Sequence, residues 1–402
     1  MYKKKVFQQK FCCKNILFAL AAYLLILSVL IVSPSYSDSA DQADEFFKIF
    51  AKPNYVTEGD GIVETQDGYV VAGSVFDESG PSTYGWVIKI DKAGKKQWEK
   101  ELGKKARDSA FYRTAVTSDN SIVLVGSVNA VLGGAFEKSS GWIAKLKANG
   151  EVEWDKNIQF ERITRSMDVQ PIKRNSMIVV GRGRQGTPYS QSTKDFAFIA
   201  ELDSNGNILW SKRINKGYWA DIVCPLKKEG FIIGGGSWIA KIDNSGNVLW
   251  EYYFDKKGEY LLYAIKEMGN GSIIIGRKPK DMKAHYILLS KLGANGNLEW
   301  DKKIDSSGLC SIDGLWITKG NEIVAVGGTC ANERERIWAA IFSISGEIKS
   351  IKKFLTAKDI EISQAIPTGE DGFIAVGSGA EQQTSGSAAW VFKTKFKTTK
   401  NK

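Results

Sequence analysis

Seven times along its 402 residues, this chain repeats one pattern. The pattern is a turn, an apolar strand closing on Gly, a variable loop, a strand opening on Trp, a Gly turn, and a second Trp-bearing strand. Its second half is clearest in Gly85 to Lys100 (GWVIKIDKAGKKQWEK), Gly141 to Lys156 (GWIAKLKANGEVEWDK) and Ser237 to Tyr252 (SWIAKIDNSGNVLWEY). A period of roughly fifty residues with four short strands per unit specifies a β-propeller, because one such unit cannot bury its apolar faces without neighbours of the same kind.

Three independent anchors fix the register. The Gly closing the first apolar strand falls at Gly73, Gly126, Gly181, Gly235, Gly276, Gly327 and Gly377. The next strand opens on Trp86, Trp142, Phe198, Trp238, Leu288, Trp338 and Trp390. The turn Gly follows at Gly94, Gly150, Gly206, Gly246, Gly296 and Gly346, and four residues beyond it stand Trp98, Trp154, Trp210, Trp250, Trp300 and, in a degenerate copy, Ser350. Trp86, Ile88 and Ile90 alternate with Val87, Lys89 and Asp91, the period of two that strands require. Most of the Trp residues are therefore expected to pack between blades, where large aromatics bury the most surface.

The last copy stops after Trp390, Val391 and Phe392, so its fourth strand is missing at the C-terminus. Phe46-Phe47-Lys48 repeats the aromatic-x-Lys pattern of Trp98-Glu99-Lys100 and Trp300-Asp301-Lys302. Residues near 45–51 are therefore expected to supply the outer strand of the blade formed by residues near 362–394, closing the ring and removing an exposed sheet edge. The fold class is all-β, a seven-bladed propeller of four antiparallel strands per blade spanning 38–394, and a monomer.

Ahead of it, Lys3, Lys4, Lys5, Lys10 and Lys14 precede an uncharged run from Ile16 to Val32, and Ser33 to Ser37 offers small residues at a cleavage-type spacing. Residues 1–37 thus read as a helical export signal, or as an uncleaved membrane anchor through residues 16–32, since such a run is at the lower edge of a membrane span. The first location is periplasmic or extracellular, the second the inner membrane. The formal charge of +10 divides into five leader lysines and five near the C-terminus, Lys393, Lys395, Lys397, Lys400 and Lys402, which leaves the rest near neutral. Residues 395–402 read as a basic disordered tail. A nucleic-acid footprint would place its excess charge on the folded face, so no nucleic-acid partner is expected.

Export makes a disulfide worth testing. Pairing Thr318 with Glu322 around the turn Lys319-Gly320-Asn321 brings Cys310 opposite Cys330, close enough for a bond. Cys224, followed by Pro225 in an apolar strand, is expected to be buried and free. With a single His, His285, there is no His-rich metal site and no imidazole pair for acid-base work, and His285 itself is expected on a surface loop. Asp203 to Asn207 and Asp243 to Asn247 look faintly like calcium loops, but a twelfth-position Glu is replaced by Ile214 or Phe254, so they are hairpin turns. The Trp-Asp dipeptides at Trp154 and Trp300 lack a preceding Gly-His partner. No cofactor, no metal site and no catalytic set is expected.

With this strand order the short turns, such as Asp67-Gly68 and Asp91 to Gly94, share one face, and the other collects the loops between blades and the long unequal loops within them. Segments 74–84, 129–140, 182–194, 277–285, 332–336 and 378–387 enter that second face, while blade 4 contributes only Gly236 and Ser237, leaving a notch. Loops free of repeat constraints are where function is usually placed. Polar residues opening the inner strands, Asp60, Arg113, Asp168, Asp221 and Asp313, are expected at the mouth of the central channel, with Arg182 and Tyr189 in the loop beside it. Either they cap strand ends and hold ordered water, or they bind a small polar ligand or cation.

Two stretches, Thr65 to Ser74 (TQDGYVVAGS) and Pro367 to Ser378 (PTGEDGFIAVGS), each followed by the Trp-Val-x-Lys strand, resemble the repeats of secreted bacterial β-propeller proteins. The repeat layout is similar to that of pyrroloquinoline-quinone dehydrogenases and outer-membrane assembly propellers, without the acidic and Asn cluster and stacked Trp that hold calcium and quinone in the former; sialidase-type Asp boxes are absent too. The resemblance implies export and a propeller, and leaves activity open. The expectation is a non-catalytic platform binding an envelope protein or glycan. The alternative is a hydrolase or lyase with its site at the channel mouth, using carboxylates, Arg, and Tyr112, Tyr189 or Tyr218 as acid-base groups.

Overall fold

A computed structural model describes residues 45–396, except 78, 79, 81, 104–107, 129–138, 173, 174, 186–193, 215–218, 256, 257, 282, 283, 306, 307, 331–334, 357–359, 370 and 381–386. The described residues form seven antiparallel sheets of four strands each. In every sheet the first strand of its repeat is innermost. These inner strands are Tyr55–Thr65, Ala110–Val116, Ile163–Ile172, Ile222–Pro225, Tyr260–Glu267, Gly314–Ile317 and Ile360–Thr368. Each touches the next, and the seventh touches the first, so the sheets stand as blades around one axis. The leader, residues 1–37, lies outside the described residues. Among the described residues no helix is long and apolar enough to cross a membrane.

Six blades are continuous in sequence, and the seventh is completed from the other end of the chain. Phe46–Phe50 runs antiparallel to Ser387–Lys395, pairing Phe46 with Lys393 and Phe50 with Ala389. Glu45 adds a side-chain clasp by accepting from the Lys395 amide at 2.7 Å and from the Thr394 hydroxyl at 2.9 Å. The last strand runs through Lys395, and Phe396 is buried, so these two belong to the folded blade and not to the basic tail expected over 395–402. Lys393 and Lys395 belong to the blade because they continue the pleat of Trp390 to Phe392; residues 397–402 lie outside the described residues.

The period-two alternation carries a different meaning from core against solvent. Trp86 to Ile90 are all buried, including Lys89. Both faces of each sheet are covered by a neighbouring blade. Trp86, Ile88 and Ile90 pack with Ile374, Val376 and Val391 of blade 7, whereas Val87 packs with Phe111, Leu124 and Trp142 of blade 2. Alternation therefore sorts side chains between two neighbours. Lys89 is tolerated inside because its ammonium reaches the short-turn face, where it meets the Thr65 hydroxyl and the Asp67 carboxylate at 2.5 Å. Lys145 repeats this with Asp119 at 3.1 Å and Glu153 at 3.0 Å.

The turn glycines and outer Trp residues form one device. Gly94, Gly150, Gly206, Gly246, Gly296 and Gly346 have φ between 75° and 84°, the left-handed region that favours Gly. Each also lies under the outer aromatic of the preceding blade. A Cβ on Gly150 would stand 3.0 Å from the Trp98 ring, one on Gly206 2.8 Å from Trp154, and one on Gly246 2.6 Å from Trp210. Phe46 takes the same place over Gly94, at 2.8 Å, so the closing strand engages blade 1 as each outer Trp engages its successor. Indole N–H groups fasten the contact: Trp98 donates to Ala148 O at 3.2 Å and Trp154 to Ser204 O at 3.1 Å.

The strand-closing glycines have a steric cause. A β-bulge interrupts the inner strand between Gly59 and Gly61, Phe111 and Arg113, Ser166 and Asp168, Leu262 and Ala264, and Ile362 and Gln364. Around it a carbonyl is driven toward the second strand. A Cβ on Gly73 would lie 1.9 Å from Glu58 O, and one on Gly377 1.8 Å from Glu361 O. Blade 5 departs from the register read in the sequence. Gly276 pairs with Leu289, and it is Arg277 that stands opposite Leu288, the place where Gly73 faces Trp86. Because Leu288 replaces an indole there, the same face has room for the buried guanidinium of Arg277. That group donates to Asp301 at 2.6 Å and to Ser290 at 2.8 Å and lies 3.9 Å over the Phe254 ring.

Candidate functional site

The inner-strand bulges each add one residue, a device that commonly re-aims a side chain beside a binding site. Asp60, Tyr112 and Tyr263 are the extra residues in blades 1, 2 and 5. Asp221 and Asp313 occupy the same place in blades 4 and 6: the Asp221 amide donates to Gly234 O at 2.9 Å and the Asp313 amide to Val326 O at 2.8 Å, just before the paired strands begin. Arg113 and Asp168 sit one position later, where blade 7 has Gln364.

Four of the expected residues, Asp60, Asp168, Asp221 and Asp313, are thereby brought together around a fifth, Arg113. Its guanidinium donates to Asp60 O and Tyr112 O, both at 2.8 Å, and its charge acts on the carboxyls of Asp60, Asp168, Asp221 and Asp313. Burial nevertheless dominates. Removal from water pushes Asp60 up to about 7, helped by the nearby Glu58 charge, and Asp313 up to about 7 against the Ser311 hydroxyl and the Lys278 and Arg113 charges. Asp168 rises to about 6, its burial partly offset by amide donors and Arg113. Asp221 is raised by burial in spite of Arg182, whose Nε lies 2.6 Å from its carboxylate.

Part of this set is structural. Asp168 accepts the Val169 amide at 2.8 Å and, across the blade boundary, the Val223 amide at 2.9 Å. Gln364, at the same position in blade 7, accepts the Ile62 amide of blade 1 at 2.7 Å. An amide side chain does the same work there, so the acidity of Asp168 is not needed for the clip. Asp60 and Asp313 direct no comparable carboxylate bond across a blade boundary among the described residues.

These shifts carry a pH dependence. Asp60 and Asp313 titrate near 3.8 when unfolded and near 7 when folded, so between those values the folded protein binds more protons. Their contribution to stability is complete below the unfolded value and is lost as pH rises through about 7. The melting temperature of the Asp60→Asn, Asp313→Asn double variant, relative to the wild type, should therefore rise between pH 5 and pH 8. Calorimetry across that range checks it, and a constant difference would mean that the two carboxyls titrate normally.

Beside the ring lies the notch. The second and third strands of blade 4, Phe231–Gly235 and Trp238–Ile242, are joined by Gly236 and Ser237 alone. Trp219, which belongs to none of the repeat anchors, stands against this turn, with the Arg182 guanidinium 5.2 Å and the Lys280 ammonium 5.8 Å from its ring centroid. Sequence reading had Arg182 but missed Trp219, Lys278 and Lys280. The signal for Trp219 was its position outside every anchor series. Tyr189 and Tyr218 lie outside the described residues, and the Tyr112 hydroxyl bonds the Ser127 hydroxyl at 2.7 Å.

The opposite, short-turn face has concavities of its own. A cavity of about 510 Å³ lies at the seam of blades 7 and 1, lined by Glu64, Tyr69, Lys92, Thr368, Asp371 and Lys393. Another of about 300 Å³ lies between blades 2 and 3, beside Asp119, Lys145 and Met177. In the first, the Lys92 and Lys393 ammonium groups sit 4.8 and 5.7 Å from the Tyr69 ring centroid.

No family model and no curated protein matches the chain. Solved structures do. A streptogramin B lyase superposes with a TM-score of 0.54 at 12% identity, covering 87% of this chain and 98% of that one. A protein of unknown function from Dyadobacter fermentans gives 0.53 at 9% identity over 87% and 97% of the two chains. The Pan2 WD40 domain of Neurospora crassa gives 0.52 at 8% identity over 89% and 98%. At such identities the likeness is one of fold.

Proposed function

We propose that this propeller is exported and serves at the bacterial envelope as a binding platform for a protein or a glycan, engaged through the face of the long loops. The observation that carries this reading is the contrast between the two faces. Short turns make up the first, and those leading into the outer strands of blades 1 to 6 repeat one design, a left-handed Gly under an aromatic ring. Segments of unequal length leave the strand ends at the second, around the Arg113 ring and the blade 4 notch. Variation confined to one face of a rigid repeat frame is what a surface fitted to a partner requires.

A hydrolase or lyase at the channel mouth is the second reading. It is favoured by the two carboxyls titrating near 7 beside Arg113 and Tyr112, since acid-base groups work best near the operating pH.

The full chain, tagged at its C-terminus and purified from the periplasm of a related host, provides the test. Amino-terminal sequencing beginning at Asp38 establishes cleavage of the leader; an intact leader in the membrane fraction establishes the anchor. A protein or glycan recovered at near-equal amount from the wild type, and lost from a Trp219→Ala, Arg182→Ala variant that melts normally, supports the platform. Retention by that variant argues against the notch. A turned-over metabolite whose conversion stops in Asp60→Asn transfers the weight to the enzyme.

A further inference from the structure

The chain has one His, the described residues hold one disulfide, and the two are in contact. A bond joins Cys310 to Cys330, with Cα atoms 5.4 Å apart. The inner-strand ladder of blade 6 slips before reaching them, so that Leu309 faces Thr329 and the bond crosses the ladder diagonally. His285, from the loop between the second and third strands of blade 5, places Nδ1 2.7 Å from the Sγ of Cys330. The imidazole is exposed and both cysteines are partly exposed, on the long-loop face at the boundary of blades 5 and 6. Cys224 is elsewhere, buried, and its thiol is pushed up by burial, so it does not compete as a nucleophile.

We infer that Cys310–Cys330 is a thiol–disulfide exchange centre whose leaving group is the Cys330 thiolate, stabilised by His285, and whose co-substrate is a dithiol. The asymmetry sets the order of events. A thiolate of the dithiol attacks Cys310 Sγ, the Cys310–Cys330 bond breaks, and its electron pair leaves on Cys330, where an N–H at Nδ1 of the His285 imidazole donates to it. Exchange is faster when the departing thiolate is the more stable one. The second thiolate of the dithiol then attacks its own sulfur in the mixed disulfide and expels Cys310 as a thiolate, which takes up a proton. The balance is two electrons: the protein disulfide becomes a dithiol and the dithiol becomes a disulfide. This centre stands apart from the Arg113 ring and does not depend on what the platform binds.

The purified full chain is treated with dithiothreitol, and free thiols are trapped and counted against time. His285→Ala should reduce about tenfold more slowly at an unchanged melting temperature, and His285→Lys, which restores a cation, should recover most of the rate. Against glutathione the Ala variant's equilibrium should move about tenfold toward the disulfide, about 30 mV for a two-electron couple. Glutathione caught as a mixed disulfide should be found on Cys310. Equal rates for wild type and His285→Ala, or glutathione on Cys330, overturn the assignment. Should the Ala variant melt lower, His285→Gln, which keeps a neutral donor, is read in its place by the same criteria.

Discussion

Removal of residues 45–51 should unfold more of this protein than any single substitution in it. The deleted strand carries three functions at once. It satisfies the edge of Ser387–Lys395 through the pairs from Phe46 to Phe50. It stacks Phe47 on Trp390, with ring centroids 6.0 Å apart, and beside Phe392. It also seats Phe46 over Gly94, which binds the last blade to the first. Truncating one well-packed Phe costs about 3 kcal/mol. Losing these rings and the ladder together should cost about 5 kcal/mol or more, the size of a typical net stability. A fall in melting temperature on the order of 10 °C or more is expected, measured by calorimetry on the truncated and intact chains. A truncated protein that melts with the wild type would mean that blade 7 is stable with three strands.

The second large effect is the smallest substitution available, Gly to Ala at a strand-closing position. At Gly377 the added Cβ meets Glu361 O at 1.8 Å and the Trp390 ring at 2.5 Å. Neither the bulged backbone nor the wedged indole can retreat without undoing a blade contact, so Gly377→Ala should cost about 3 kcal/mol or more. Gly276→Ala is the control. There the nearest atoms are side-chain carbons of Ile312 at 3.0 Å, which can give way, and the cost should be about 1 kcal/mol. Urea midpoints for the two variants test the difference. Equal costs would remove the bulge as the reason for the glycines.

That contrast also shows what could be read from residue order and what could not. The Trp and Gly series specify the ring because each residue type answers a local geometric demand that recurs in every blade. The same spacing misled in blade 5, where Gly276 satisfies the pattern while Arg277 fills the position. Only the paired strand, with Leu288 in place of Trp, reveals why a long cation fits. Lys395 reads as tail because a run of lysines suggests solvent. The match of Trp390-Val391-Phe392-Lys393 to Trp86-Val87-Ile88-Lys89, extended to the Asp91 position, was the signal that Lys395 continues the strand. Asp60, Arg113, Asp168, Asp221 and Asp313 were found because polar residues at strand openings break an apolar pattern. Their convergence on Arg113 could not be found that way, since it depends on bulges that leave no mark in composition. Trp219 escaped because twelve Trp in a repeat protein invite a single explanation.

The clasp between Glu45 and Lys395 joins residues 350 apart in sequence. A chain emerging from its N-terminus delivers Phe46 to Phe50 before every other strand and their partner strand last. Six blades can collapse as they emerge, each on local contacts, but the ring has no end point until the final residues arrive, and closing so long a loop is slow. Until then the sequence from Phe46 to Phe50 is an unpaired aromatic strand, the kind of segment that pairs with the wrong edge. Any helper that accompanies this chain while it folds has its task defined by those five residues: to keep them waiting.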